Sequence, residues 1–279
     1  RFSQAIPKLE KYLEQFPSGR YKVEISDYLA NSHYELGDIS TAIAIYREEL
    51  KGPKTQYTEF AAARVSSYLY NDGQFQEAIP YYKRVEEVGN NPEYKYNAKL
   101  GLMRCHFQIE NWQNAALYAS KVLASSETNG DVELKSHYVR AISNYNVGYF
   151  NDARISLDWL VKNTTTYMGA EARHALADIA FKQSKLSLAH DEIKDLLKMK
   201  PKYNYWIGKG MILRARIYMV EDNLFQAEQD LRGIREHYTN FEDGIMDEAN
   251  ELWDELMQLK DAPKDIEEGN ERTIEIDEN

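Results

Sequence analysis

Seven alanines recur at nearly even intervals along this chain of 279 residues, and that period constrains the fold more than any other feature. The intervals between them run from 36 to 38 residues. A large apolar residue lies three positions before each alanine and an apolar residue lies four positions after it, which is the spacing of one helix face. The pattern therefore predicts one helix per period, marked by Ala5, Ala42, Ala78, Ala115, Ala153, Ala189 and Ala227.

A second series of mostly small residues lies twelve positions upstream and predicts a second helix in each repeat. Two antiparallel helices approach closely only where a side chain at their crossing is short. Turn residues rich in glycine and asparagine separate the two series, as helix ends require. The repeating unit is thus predicted to be a helix hairpin, and the second series consists of Ala30, Ser66, Met103, Ala141, Ala177 and Ala215.

The pattern gives an all-α fold with the following organisation. Residues 1–240 form an array of one half repeat and six helix pairs, 241–260 form a capping helix, and 261–279 form an acidic, flexible tail of charge −6. Gly208 and Gly210 are interpreted as a flexible lead into a helix near 209–221. The first helices are predicted near 20–36, 56–71, 93–109, 131–147, 168–184 and 203–221. The second helices are predicted near 2–15, 39–51, 75–88, 112–125, 150–163, 186–199 and 224–237.

Segments such as "YLANSHYELGDISTAIAIYREEL" and "YLYNDGQFQEAIPYYKRV" resemble the tetratricopeptide repeat family over roughly residues 1 to 240. The period is longer than the usual ~34 residues of that family, and Lys185 stands where its turn glycine is expected. The resemblance implies a right-handed superhelical solenoid whose first helices line a concave groove. The phrase "AIPKLEKYLEQFPSGRY" is similar to bacterial envelope members, including Tol-Pal accessory proteins and outer-membrane assembly lipoproteins.

Carrying the family geometry onto this chain gives a mixed concave face. Cytosolic co-chaperones of the family grip a terminal carboxylate with Lys and Asn, whereas the matching positions here are Asp27 and Asn31, so that clamp is rejected. Farther along, a basic trend at Arg104, Lys135, Lys182, Lys209 and Arg216 favours an acidic peptide. The candidate contact residues are Asn31, Asn71, Arg104, Gln108, Lys135, Tyr138, Asn146, His174, Lys182 and Arg216.

The sequence offers no pattern for catalysis, metal binding or nucleic-acid binding. Its histidines are scattered without ligand spacing, so neither a metal nor another cofactor is predicted. Cys105 and His106 are adjacent on a helix, where their side chains diverge and cannot act as nucleophile and base. The formal net charge of −11 argues against non-specific nucleic-acid binding. No apolar run is long enough to cross a membrane.

The leading hypothesis is a non-catalytic scaffold that binds a peptide or a partner domain on its concave face. The alternative is a structural spacer or self-association module, with its groove empty or filled by its own acidic tail. Since the chain opens directly in a second helix, we expect it to be the C-terminal piece of a longer array. The envelope resemblance favours the periplasm or the outer-membrane periphery, with the cytoplasm as the alternative.

Overall fold

The computed structural model describes residues 1–261, and the predicted tail lies outside them apart from Asp261. Within this range the chain forms fourteen helices and no strand, which confirms the all-α repeat fold. The half repeat is α1 (Phe2–Gln15). The first helices of the six pairs are α2 (Lys22–Glu35), α4 (Thr58–Asn71), α6 (Pro92–Gln108), α8 (Gly130–Asn146), α10 (Tyr167–Lys182) and α12 (Asn204–Val220). The second helices are α3 (Ile39–Glu49), α5 (Phe75–Val88), α7 (Trp112–Leu123), α9 (Phe150–Asn163), α11 (Leu186–Lys198) and α13 (Leu224–His237), and the chain continues to α14 (Ile245–Asp261).

The chain divides into two compact units. Unit 1 comprises Arg1–Ala175 and unit 2 comprises Leu176–Asn279, of which the structure describes the part up to Asp261. In each unit the successive helices pack side by side, and in unit 1 the first helix α6 also contacts the first helices α4 and α8. This nearest-neighbour packing is typical of a repeat array.

The alanine series lies in the core, as the period predicts. Six of the seven alanines have no exposed surface, and Ala5 of α1 is half-buried. The upstream series is equally buried, with Ser66 and Met103 among its members. Short side chains at these positions let the two helices of each pair approach closely.

Every helix pair turns in the same way. Three residues connect the two helices in all six pairs, and the middle residue has a positive φ. The residue after it donates its backbone N–H to a carbonyl five residues back, as Gln74 does to Leu69 at 2.8 Å, which is the Schellman motif. The middle residues are Gly37, Gly73, Glu110, Gly148, Ser184 and Asp222.

The helix bounds agree with the predicted ones within two residues, with three local corrections. The residue in the turn position of the fifth pair is Ser184 rather than Lys185, which precedes α11. α14 begins at Ile245 rather than 241, because Gly244 has a φ of +79° that a helix excludes.

The third correction concerns Gly208 and Gly210. The prediction that they form a flexible segment before the helix was wrong. Both glycines are buried inside α12. A Cβ on Gly208 would lie 2.8 Å from Ile245 Cγ2, and one on Gly210 would lie 2.9 Å from Leu196 Cδ2. The glycines therefore permit α12 to approach α14 and α11 closely.

The turn geometry predicts opposite effects for two substitutions. A left-handed conformation costs a non-glycine residue about 1–2 kcal/mol, part of which the greater freedom of unfolded glycine offsets. Glu110→Gly should therefore stabilise unit 1 by up to about 1 kcal/mol, and Gly73→Ala should destabilise it by a similar amount. No atom lies within 4 Å of a Cβ added to Gly73, so that substitution isolates backbone strain. Urea denaturation midpoints measure both effects, and a lower midpoint for Glu110→Gly would contradict the argument.

Candidate protein-interaction surface

All ten predicted contact residues lie on first helices. Asn31 is on α2 and Asn71 on α4, whereas α12 carries Arg216. The other seven are Arg104 and Gln108 on α6, Lys135, Tyr138 and Asn146 on α8, and His174 and Lys182 on α10.

A cleft of about 300 Å³ in unit 1 brings four of these residues together. Arg104 and Gln108 enter it from α6, and Lys135 and Tyr138 enter it from α8. We call this region the central cleft. Its remaining lining residues are Tyr70, Met103, Phe107, Val139, Tyr167 and Met168.

Aromatic rings from three successive first helices form one wall of the central cleft. The Phe107 and Tyr138 ring centroids are 5.9 Å apart at an interplanar angle of 62°. The Tyr138 and Tyr167 centroids are 6.1 Å apart at 74°. Edge-to-face contacts of this kind are favourable between aromatic rings and hold them in place. The cleft thus presents rigid apolar surface, which suits protein recognition because little side-chain entropy is lost on binding.

The hydroxyl of Tyr138 is already engaged. It donates a hydrogen bond to Glu171 Oε2 at 2.8 Å. Burial raises the pKa of the Glu171 carboxyl, and the hydrogen bond from Tyr138 opposes that rise. Tyr138 therefore offers its ring, rather than its hydroxyl, to a ligand.

Arg104 differs from the other cations predicted for the basic trend. Within residues 1–261, no carboxylate pairs with its half-buried guanidinium. Lys135 pairs with Asp131 of the same helix at 2.7 Å, and both side chains are exposed. An exposed pair of this kind contributes little stability and opens easily. Arg104 is therefore the cation of the central cleft that is available for an incoming carboxylate.

In unit 2 the predicted basic residues have carboxylate partners within the unit. Lys209 and Arg216 both contact Glu248 of α14, at 2.7 and 3.3 Å. Lys182 pairs with Asp178 one turn away at 2.6 Å. α14 thus supplies the negative charge that the sequence analysis assigned to a ligand.

The other four candidate residues lie outside the central cleft. Asn71 and Asn146 are exposed, and Asn146 Nδ2 donates to the Ile142 carbonyl at 2.8 Å. Asn31 and His174 are half-buried. None of the four lines the central cleft.

A second cleft in unit 1, of about 390 Å³, contains a cation that the sequence analysis missed. The Arg64 guanidinium lies 3.9 Å from the centroid of the Tyr34 ring and 4.9 Å from that of Phe60. Arg64 follows Phe60 by four residues, and this spacing could have predicted from the sequence that the two side chains lie on the same helix face. We call this the N-terminal cleft; it is also lined by Ala63, Ser66, Ser67, Tyr82, Val85, Tyr94, Asn97 and Ala98.

The single cysteine is not placed for chemistry. Cys105 has no exposed surface, and burial raises the pKa of its thiol to about 12 despite the opposing effect of Arg104. Burial, assisted by Lys83, also lowers the pKa of the His106 imidazole. Over the described part of the chain, no group of three or more His, Cys, Asp or Glu side chains could hold a metal ion. No described helix is both long and apolar enough to span a membrane.

Part of the chain is similar to a known protein family. Residues 66–130 match the family model described as the tetratricopeptide repeat. The curated human protein named outer dynein arm-docking complex subunit 4 is 21% identical over 245 residues, which are 86% of this chain and 34% of that protein. The chain therefore spans about a third of the length of this curated relative.

Two solved structures were matched, of which the first has a similar fold. One is the C-terminal part of a repeat-containing protein of the same family from Cytophaga hutchinsonii, at 17% identity and a TM-score of 0.53, covering 88% of this chain and 94% of that one. The other, from Parabacteroides merdae, shows 16% identity and a TM-score of 0.40 over 90% and 92% of the two chains.

The burial of Cys105 predicts that its thiol is unreactive in the folded protein. A pKa of about 12 leaves very little thiolate at pH 8, and only the thiolate is nucleophilic. Alkylation by iodoacetamide at pH 8 should be at least about a hundredfold slower in the native protein than in urea. Equal rates in the two states, followed by mass spectrometry, would show that the thiol is accessible.

Proposed function

Because residues 66–130 match the tetratricopeptide repeat model, we propose that the chain is a non-catalytic scaffold of that family whose unit 1 binds an extended, acidic segment of a protein partner in the central cleft. Members of this family generally act as non-catalytic scaffolds that bind other proteins. The curated human relative is itself named as a subunit of a docking complex.

One observation carries the proposal: a cation without a carboxylate partner among the described residues lies beside a wall of fixed aromatic rings. Arg104 supplies the charge, and Phe107, Tyr138 and Tyr167 supply the apolar surface. A guanidinium binds a carboxylate in two parallel hydrogen bonds, which adds orientation to the charge attraction. Tyrosine and arginine are also the residue types that dominate binding energy at protein interfaces.

The proposed contacts have a centre and a periphery. The centre consists of Arg104, Gln108, Lys135 and Tyr138, which share the central cleft. Lys135 can leave Asp131 for a ligand carboxylate, since the existing pair is exposed. The other proposed contact residues are Asn31, Asn71, Asn146 and His174 in unit 1, and Lys182 and Arg216 as a separate face of unit 2.

Charge reversal at Arg104 should weaken the binding of an acidic peptide at least about tenfold, because a hydrogen bond to a charged group contributes roughly 1.5–3 kcal/mol. The probe is a panel of fluorescent ten-residue peptides that combine Glu with Leu or Phe, measured by anisotropy at 150 mM salt. Arg154→Glu on α9 is the matched control, since it changes the net charge equally and lies outside both clefts. Circular dichroism establishes that both variants are folded.

Three outcomes separate the possibilities. Loss of affinity in Arg104→Glu alone supports the central cleft. Equal losses of peptide affinity in the two variants would show that the interaction is a non-specific charge attraction. Absence of peptide binding to the wild-type protein would contradict the proposal and favour the alternative of a structural spacer or self-association module.

We also propose that the chain resides in the periplasm or at the outer-membrane periphery of a bacterium, with the cytoplasm as the alternative. The support is the similarity of "AIPKLEKYLEQFPSGRY" to envelope members of the family. Fractionation of the source cell followed by immunoblotting should recover the protein with periplasmic or outer-membrane markers. Recovery with cytoplasmic markers alone would contradict the envelope location.

A further inference from the structure

One position of the repeat carries a carboxylate in the first pair and an aliphatic side chain in all the others. The position lies seven residues after the repeating alanine, in the second helix. In five pairs it is at most 2% exposed and belongs to the core. Its occupants there are Val85, Val122, Leu160, Leu196 and Ile234, whereas in α3 the occupant is Glu49.

A second carboxylate from the partner helix accompanies Glu49. Asp27 of α2 is 8% exposed, and the matching residue of the next pair is Ala63. Among residues 1–261, neither Asp27 Oδ1 nor either carboxylate oxygen of Glu49 has a hydrogen-bond partner, although all three atoms are buried. The hydroxyl of Tyr46, a side chain with no exposed surface, is also unpartnered. A buried ionised carboxylate without a partner is strongly unfavourable, so this cluster requires neutralisation.

The surrounding helices do not supply a neutralising cation. Arg64 of α4 acts on Tyr46, but it is stacked on the Tyr34 and Phe60 rings and does not pair with either carboxylate. Burial is the cause that raises the pKa of Asp27. Burial raises the pKa of Asp27 to about 6 and that of Glu49 to about 7, where the Asp27 charge adds to the effect of burial.

We propose that Asp27 and Glu49 form a proton-binding site whose occupancy sets the stability of the α2–α3 hairpin. The protons neutralise both carboxyl groups and so remove the cost of burying their negative charges. This site lies outside the central cleft, which neither α2 nor α3 lines.

The direction of the pH effect follows from linkage. A carboxyl group whose pKa is higher in the folded state than in the unfolded state favours folding when it is protonated. The stabilisation is complete below the unfolded pKa values of about 4. It declines as the pH rises through about 6 and 7, which is the reverse of the usual behaviour of acidic residues. The α2–α3 hairpin should therefore open more readily above neutral pH.

Hydrogen exchange followed by mass spectrometry tests this site in the full chain. After correction for the intrinsic exchange rate, the opening constant of α2–α3 should rise about a hundredfold between pH 5 and pH 8. The α12–α13 hairpin serves as an internal control, because its buried Asp230 is paired with Arg214 at 2.7 Å. That hairpin should change little over the same range.

Two variants make the test specific. The double substitution Asp27→Ala with Glu49→Val installs the pair that the next repeat carries, Ala63 and Val85, and should abolish the pH dependence while increasing protection at pH 8. Glu49→Gln, which keeps the size of the side chain, should reduce the dependence. A wild-type hairpin that is equally protected at pH 5 and pH 8 would overturn the proposal, as would a dependence that persists in the double variant. If Mg²⁺ or K⁺ restored protection at pH 8, the proposal would also be overturned, because the carboxylates would then bind a metal cation rather than protons.

Discussion

The fold depends on the close approach of two helices at a position where one side chain is a methyl group. The repeating alanine provides that approach once in every pair, and it is fully buried in all six complete pairs. Because the contact recurs with the period of the sequence, each pair can bury its apolar face only against its neighbours. Leucine or a larger residue at Ala42 or Ala78 would separate the helices and, with them, the surfaces that form the clefts.

The features that the sequence predicted best are those encoded locally and repeated. Helix bounds followed from apolar spacing and turn residues, and they agree with the structure within two residues over the six pairs. Gly208 and Gly210 were misjudged because their role depends on Ile245 and Leu196, which are distant in sequence. The pairing of Arg216 with Glu248 was equally inaccessible, since it requires the packing of α14 beside α12.

The candidate surface was predicted only in part, because the sequence shows local helical register but not the contacts between distant helices. Helical register places Arg104, Gln108, Lys135 and Tyr138 on the faces of first helices, and the structure gathers them in one cleft. Register alone cannot show which cations are already neutralised, because a carboxylate partner can come from the same helix or from a later one. The structure makes that distinction: of the five cations predicted for the basic trend, only Arg104 has no carboxylate partner within residues 1–261.

The identical turns have a consequence for how such a chain can vary. Every pair is closed by three residues in one backbone conformation, whether the middle residue is glycine, glutamate, serine or aspartate. The segments that join one pair to the next have no such uniformity, from the three residues between α5 and α6 to the eight between α3 and α4. The turn is therefore the constant part of each hairpin module, whereas the helices and the segments between hairpins differ in length. An array of this kind can lengthen, shorten or recombine its modules while every module keeps its own geometry.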